Sequence, residues 1–169
     1  MIEKKYEITY ATLTDKGERT QNEDSLGVER YSDGFMFVLC DGLGGHGKGD
    51  VASDFIVKNL LARVCRQEQD VETAIMKSQE MLLEKQKEED AQDSMKTTLT
   101  CLNITGEQAR YIHVGDSRVY HFEGGKVKDR TLDHSVPQML VNIGEIKESE
   151  IRHHEDRSRL LRVVGSAWD

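Results

Sequence analysis

The chain has 169 residues, 37% of them hydrophobic and 32% charged, which is enough for one compact domain and too short for a modular array. Its 23 Lys and Arg and 31 Asp and Glu give a net charge of −8, which disfavours nucleic acid and anionic membranes as partners and favours cations. Its apolar stretches fall short of the roughly 20 residues of a membrane helix, and its start lacks the apolar core of a signal peptide, so we expect a cytoplasmic protein.

The first quarter of the chain predicts three strands. Apolar residues alternate with polar ones over residues 6–12, which is typical of a half-buried strand. Residues 25–30 and the apolar run 35–40 flank the turn signal at Ser32, and they predict a hairpin whose second arm is buried on both faces. That second arm ends at Asp41.

The rest of the chain predicts two helices, four strands and a helical tail. Apolar residues recur three or four apart over residues 51–64 and 71–82, so two amphipathic helices would cover one face of a sheet. Short β-type runs follow and predict an antiparallel meander, at residues 96–103, 109–114, 118–122 and 126–130. Buried candidates in the tail are Val136, Leu140, Ile143, Leu160, Leu161 and Val164. The fold class is therefore α+β.

A glycine-rich loop separates the hairpin from the first helix. Five glycines occupy the eight positions 42–49, and such a loop lets bare backbone approach another group closely. The loop satisfies a dinucleotide pattern over Gly42–Gly47 and a P-loop pattern over Gly42–Lys48. However, Gly49 stands where a P-loop needs Ser or Thr, and residues 71–83 read as a helix where a dinucleotide site needs a strand. A nucleotide-binding protein therefore remains a remote alternative.

A third interpretation of this loop starts from Asp41, a carboxylate at the end of a buried strand. Together with the carbonyl of Gly42 it could bind Mg²⁺ or Mn²⁺, which prefer oxygen ligands. Antiparallel pairing could bring Asp24 close to Asp41, and Arg19 could clamp a phosphate through paired donors. The alternatives are a solvated turn aspartate, a strand-edge role for the pair Glu23 and Asp24, and a surface ion pair for Arg19.

Four blocks in this order resemble the metal-dependent serine/threonine protein phosphatases of the 2C type, the PPM family, and especially its bacterial branch. The blocks are Arg19–Asp24, Asp41–Gly49, Gly115–Tyr120 and Thr131–Ser135, and Leu160–Gly165 is similar to the segment that follows them. The resemblance covers nearly the whole chain. It implies an αββα sandwich of antiparallel sheets flanked by helices, with two Mn²⁺ or Mg²⁺ ions at one end of the sheets.

The resemblance also implies roles for the ligands of these ions. Asp41 would bridge both metals, the Gly42 carbonyl would hold one, and Asp24 would bind directly or through water. Asp116 matches a position linked to a weaker third metal, with capping of a tight turn as the structural alternative. Glu23 would organise the surroundings of the ligands.

Two further residues would act on the substrate. Arg19 would orient the phosphate, and His46 could protonate the departing serine or threonine alkoxide. The implied activity is hydrolysis of phosphoserine and phosphothreonine by a metal-activated water. Phosphorylated proteins and a cognate kinase are the expected partners. The alternative is a non-catalytic family member that binds a phosphoprotein or another partner.

The family pattern continues with two later aspartate motifs that are absent from residues 1–169. We therefore expect a single phosphatase-like domain without the C-terminal strands and the last metal motifs, and with an incomplete set of metal ligands. Unpaired strand edges and an uncovered apolar face would favour a homodimer or strand exchange between copies.

Overall fold

The computed structural model describes residues 7–32, 34–44, 47–67 and 69–168. Its main sheet has four antiparallel strands in sequential order, and a separate hairpin has two. The strands of the sheet are β1 (Asp24–Tyr31), β2 (Gly34–Asp41), β3 (Leu99–Thr105) and β4 (Gln108–Val114). Those of the hairpin are β5 (Tyr120–Glu123) and β6 (Lys126–Arg130).

The described part of the chain forms three α-helices. The α-helices are α1 (Gly49–Leu61), α2 (Val71–Glu88) and α3 (Val136–Asn142). A π-helical turn, Ala62–Arg66, extends α1, and a 3₁₀ helix spans Glu148–His153. In the described part of the chain, no helix combines the length and apolar character needed to cross a membrane.

The hydrophobic core lies between the sheet and the helices α1 and α2. Gly27 allows this close packing, because a Cβ there would lie 2.6 Å from Leu61 Cδ1 and 2.9 Å from Val57 Cγ1. The largest fully buried apolar side chains are Met36, Ile56, Leu60, Leu82, Met95, Leu99 and Val164. The two predicted amphipathic helices are thus confirmed, because their apolar stripes face this core.

Two buried glutamines of α2 hold a distant segment of backbone. Gln86 donates to the carbonyls of Met95 and Gly165, at 2.6 Å and 2.8 Å. Gln79 accepts from the Gly165 N–H at 2.8 Å and donates to the Ser166 carbonyl at 2.6 Å. These side chains satisfy buried backbone groups of a segment that lies outside any strand.

The outer face of the sheet differs from the prediction. Residues 7–12, the described part of the expected first strand, form no strand, and Tyr10 instead packs edge-on against Phe37 at 5.6 Å. The alternation there reflects contacts of single side chains with the sheet and not strand pairing. In addition, β2 is buried on the helix side alone, since Leu39 on the outer face is 40% exposed.

The predicted meander is also corrected. The strands β3 and β4 belong to the main sheet, whereas β5 and β6 pair separately. The chain leaves the sheet at Gly115, whose φ of +104° is incompatible with a continued strand. In the tail Val164 is 1% exposed as expected, whereas Ile143, which follows the end of α3, is 64% exposed and Leu161 is 54% exposed.

Candidate active site

Two aspartates face each other at one end of the main sheet. Asp24 is the first residue of β1 and Asp41 the last residue of β2, and the antiparallel register pairs them directly. Side chains of directly opposed residues have Cβ atoms about 4.5–5.5 Å apart, and like charges in this position are destabilising. The pair therefore forms a negative site that a cation would stabilise.

Neighbouring polar groups fix both aspartates. The side chain of Asn22 accepts from the Asp24 N–H at 3.1 Å and donates to Thr14 Oγ1 at 2.7 Å. The carbonyl of Asp41 accepts from Thr97 Oγ1 and from the Thr98 N–H, both at 2.9 Å. The end of each strand is thus held independently of any ligand.

The glycine loop passes close to the residues before Asp24. The N–H of Gly42 donates to the Glu23 carbonyl at 3.1 Å, and a Cβ on Gly42 would lie 2.6 Å from that oxygen. A Cβ on Gly44 would lie 2.2 Å from Glu23 Oε2 and 3.4 Å from Arg19 Nη1. The glycines are therefore needed for close approach, and they place the Glu23 carboxylate and the Arg19 guanidinium beside the loop.

The centre of the loop includes Gly45 and His46, which lie outside the described residues. The expected role of His46 is therefore untested. On the far side of the loop Lys48 adopts a left-handed conformation with φ of 67°, and its Nζ lies 2.9 Å from Glu89 Oε2 beyond the end of α2.

A polar cavity of about 470 Å³ joins these groups. Every predicted site residue that the structure describes lines it, namely Arg19, Glu23, Asp24, Asp41, Gly42 and Asp116. Asp116 reaches the cavity from the turn after β4, so three separate segments of the chain supply its acids. The expected site residues within the described part of the chain thus line the same cavity.

Burial and like charges perturb two of the acids. Partial burial raises the pKa of Asp41 to about 6, and the negative charges of Asp24 and Asp116 and a hydrogen bond with Asp24 add to the rise. The Arg19 guanidinium partly opposes it. The pKa of Asp116 is also raised, mainly by burial. The shift of Asp41 thus reflects both its partial burial and negative charges nearby that Arg19 does not fully neutralise.

The acids differ in how closely they approach one another. Among the described residues, no three Asp, Glu, His or Cys side chains are close enough to hold one ion by themselves. The close contact is the pair Asp24 and Asp41, and Asp116 acts on Asp41 through its charge across the cavity. The donor set still suits a hard divalent cation, because carboxylate and carbonyl oxygens can share its coordination with water.

The sequence did not predict several other residues that line the cavity. Among them are Arg157 and Ser158, and Asp15 and Lys16 in the segment before Arg19. One signal was available, since four arginines fall within residues 152–162 of an acidic chain. It indicates an anion-binding segment, although it does not indicate which arginine reaches the site.

The nucleotide-binding interpretations of the glycine loop are not supported. Both need a parallel βαβ unit around the loop. Here α1 is followed by α2, and the described strands pair antiparallel throughout. The loop therefore serves the acidic cavity and not a nucleotide crevice of either type.

Known proteins share both the sequence pattern and the fold. The serine/threonine phosphatase stp of Listeria monocytogenes is 33% identical over 165 residues, which is 90% of this chain and 65% of that protein. The crystal structure of the serine/threonine phosphatase Stp1 from Staphylococcus aureus superposes with a TM-score of 0.83 at 31% identity, covering 92% of this chain and 65% of that chain.

The catalytic domain of the serine/threonine protein phosphatase PstP, in complex with two manganese ions, has a TM-score of 0.70 at 28% identity. The match covers 89% of this chain and 64% of that chain. The chain therefore spans slightly less than two thirds of these relatives. Residues 16–145 match the family described as Protein phosphatase 2C. This match covers most of the chain, which belongs to the protein phosphatase 2C family.

Proposed function

We propose that residues 1–169 form a single phosphatase-like domain that hydrolyses phosphoserine and phosphothreonine in proteins with the help of Mn²⁺ or Mg²⁺. The observation that carries this proposal is the direct pairing of Asp24 with Asp41 in a cavity that Asp116 and Arg19 also line. A phosphate monoester and a divalent cation are the two ligands whose charges this arrangement complements.

In this proposal the acids hold the cations. Asp24, Asp41 and the Gly42 carbonyl supply hard oxygen ligands, and Asp116 supplies a further carboxylate across the cavity. Bound divalent cations would lower the pKa of water to roughly 7 and neutralise charge on the phosphoryl oxygens. The structure of PstP with two manganese ions supports the choice of metal.

In this proposal Arg19 and His46 act on the substrate. The Arg19 guanidinium, which lies beside Gly44, would bind the phosphoryl oxygens through paired donors. Glu23 would keep Arg19 and the loop backbone in place, since its carboxylate occupies the space beside Gly44. His46 remains our candidate for protonating the leaving alkoxide.

Phosphate release from a phosphoserine or phosphothreonine peptide tests the proposal. We expect release that depends on added Mn²⁺ and is lost in Asp41→Asn, because the amide keeps the shape of the side chain but not its charge. Circular dichroism of Asp41→Asn checks that the fold is retained. Equal metal-dependent release by the variant and the unchanged chain would contradict the proposal.

Binding of a phosphoprotein without hydrolysis is the second candidate function. The observation that favours it is that no three acids within the described ranges are close enough to hold an ion. In that case the phosphopeptide would bind to the unchanged chain, binding would weaken in Arg19→Ala, and neither chain would release phosphate.

We infer that the partners are phosphorylated proteins, with a cognate kinase among them. Self-association is also proposed, because apolar side chains such as Leu39, Phe122 and Val127 are 40–59% exposed. Light scattering at tens of micromolar tests it, and a monodisperse monomer would count against it. The cytoplasmic location remains a prediction.

A further inference from the structure

The Thr98 hydroxyl lies between the end of β2, which carries Asp41, and the turn that carries Asp116. Thr98 is fully buried immediately before β3. Its Oγ1 accepts from the Asp41 N–H at 3.0 Å and shares a hydrogen bond with Ser117 Oγ at 2.8 Å. A threonine hydroxyl has one proton and two lone pairs, so it can make both bonds at once. Ser117 directly follows Asp116.

The rest of the Thr98 side chain and its backbone are also held. A Cβ on Gly115 would lie 2.7 Å from Thr98 Cγ2, so the glycine lets the methyl group pack against the backbone just before Asp116. The Thr98 N–H donates to the Asp41 carbonyl at 2.9 Å. The hydroxyl therefore has little freedom to move, and it bonds the Asp41 N–H and the Ser117 hydroxyl from a fixed position.

We propose that Thr98 is a positioning residue whose hydroxyl, acting through Ser117, fixes the placement of Asp41 relative to Asp116 and thereby the affinity of the cavity for a divalent cation. This inference rests on the proposed function. Neither carboxylate is a bonding partner of the hydroxyl, which instead holds the backbone of one acid and the residue next to the other.

A fixed hydroxyl matters here because Asp41 and Asp116 carry like charges and line the same cavity. Holding two carboxylates close together costs free energy unless a cation lies between them. If the bridge is removed, the end of β2 and the turn after β4 can move apart, and the two carboxylates no longer converge. A cation would then have to draw them together at the expense of its binding free energy.

Thr98 offers a matched pair of substitutions. Thr98→Val keeps the shape and the methyl group but removes the hydroxyl, whereas Thr98→Ser keeps the hydroxyl and removes the methyl group. Isothermal titration calorimetry with Mn²⁺ alone measures affinity, and thermal unfolding of the metal-free chain measures stability. We expect Thr98→Val to weaken Mn²⁺ binding by about 10- to 100-fold, which is the usual effect of removing a group that orients metal ligands. Thr98→Ser keeps the hydroxyl and should bind Mn²⁺ about as tightly as the unchanged chain.

A merely structural role for Thr98 would give a different pattern. Both substitutions would then lower the melting temperature while Mn²⁺ affinity stayed unchanged, and this result would overturn the inference. Equal weakening of Mn²⁺ binding in both variants would overturn it too, because packing of the methyl group would then be the cause.

Ser117→Ala keeps the inference testable if Thr98→Val fails to fold. It removes the second hydroxyl of the bridge from a side chain that is not fully buried. We expect weaker Mn²⁺ binding and little change in melting temperature, and unchanged binding would overturn the proposal. If both single variants fold, the double variant should bind no more weakly than Thr98→Val alone, because the two hydroxyls act as one unit.

Asp41→Asn separates this inference from the proposed function. If Asp41→Asn binds Mn²⁺ as tightly as the unchanged chain, the proposed metal site is wrong and the role of Thr98 fails with it. If Asp41→Asn loses binding while Thr98→Val and Ser117→Ala bind normally, the metal site stands and the positioning role alone is overturned.

Discussion

Gly42 lies where backbone atoms leave no room for a side chain. A Cβ there would come within 2.4 Å of the Gly49 carbonyl oxygen and 2.6 Å of the Glu23 carbonyl oxygen. We expect Gly42→Ala to reduce the free energy of unfolding by about 2–3 kcal/mol, because rigid backbone must move to relieve the overlap. Urea unfolding measures this loss, and Mn²⁺ binding should weaken as well.

Gly106→Ala is the control for this substitution. Gly106 has φ of +57° and open space around its Cα, so alanine should cost about 1 kcal/mol from backbone strain alone and leave Mn²⁺ binding unchanged. The prediction would be contradicted if Gly42→Ala and Gly106→Ala lost the same free energy of unfolding and both retained Mn²⁺ binding. The backbone around Gly42 would then move aside at little cost.

Site residues differ in how far the sequence could predict them. The pairing of Asp24 with Asp41 follows from a hairpin whose two arms and turn are all visible in the sequence. Arg157 and Lys16 reach the same cavity through loops without periodicity, so their positions depend on tertiary packing. A local sequence pattern therefore predicts the acids of the site but not the other residues that line the cavity.

A cluster of charges links the glycine loop to the end of α2. Hydrogen bonds from Lys85 and Lys48 lower the pKa of Glu89 from 4.5 to about 2. Because the pKa is lower in the folded state than in the unfolded chain, this carboxylate stabilises the fold above pH 4.5. That contribution falls as the pH decreases and is lost as it passes through about 2.

We therefore expect Glu89→Gln to unfold at a lower urea concentration than the unchanged chain near neutral pH. The difference should narrow as the pH approaches 2 and should also shrink in high salt, since the cluster is solvent-accessible. Glu88→Gln alters a neighbouring exposed glutamate and serves as the control. A difference that is the same at every pH would contradict this account.

Helical periodicity predicts the helices correctly, whereas β-type alternation does not show whether a segment pairs with another strand. The helices α1 and α2 carry apolar stripes of helical spacing, and the structure confirms both. The alternation over residues 6–12 is equally regular, yet the described part pairs with no strand. Pairing depends on what lies beside a segment in space, and that information is not local.

The whole molecule carries a net charge of −8, although its cavity contains Arg19, Lys16 and Arg157. The long-range field should attract positively charged peptides while the local arginines bind the phosphate. We expect a phosphopeptide with lysine flanks to show a higher kcat/KM than the same phosphopeptide with glutamate flanks. The ratio should approach one in about 0.5 M salt, where the Debye length is a few ångströms.

Phosphate release from the two peptides across a salt series checks this expectation. A ratio that does not change with salt would mean that the flanks are recognised by direct contacts and not by the field of the molecule. A preference for glutamate flanks would mean that the arginines of the cavity, and not the net charge of the molecule, determine how fast the peptide associates with the protein.

The bonds from Gln79 and Gln86 to Gly165 span 86 and 79 residues of sequence. Val164 bonds in turn to Thr97, whose hydroxyl donates to the Asp41 carbonyl. Closing such long loops costs chain entropy, so contacts of this kind are made late in folding. We therefore expect a ribosome-bound chain to complete the acidic cavity only after residue 165 has emerged from the ribosome.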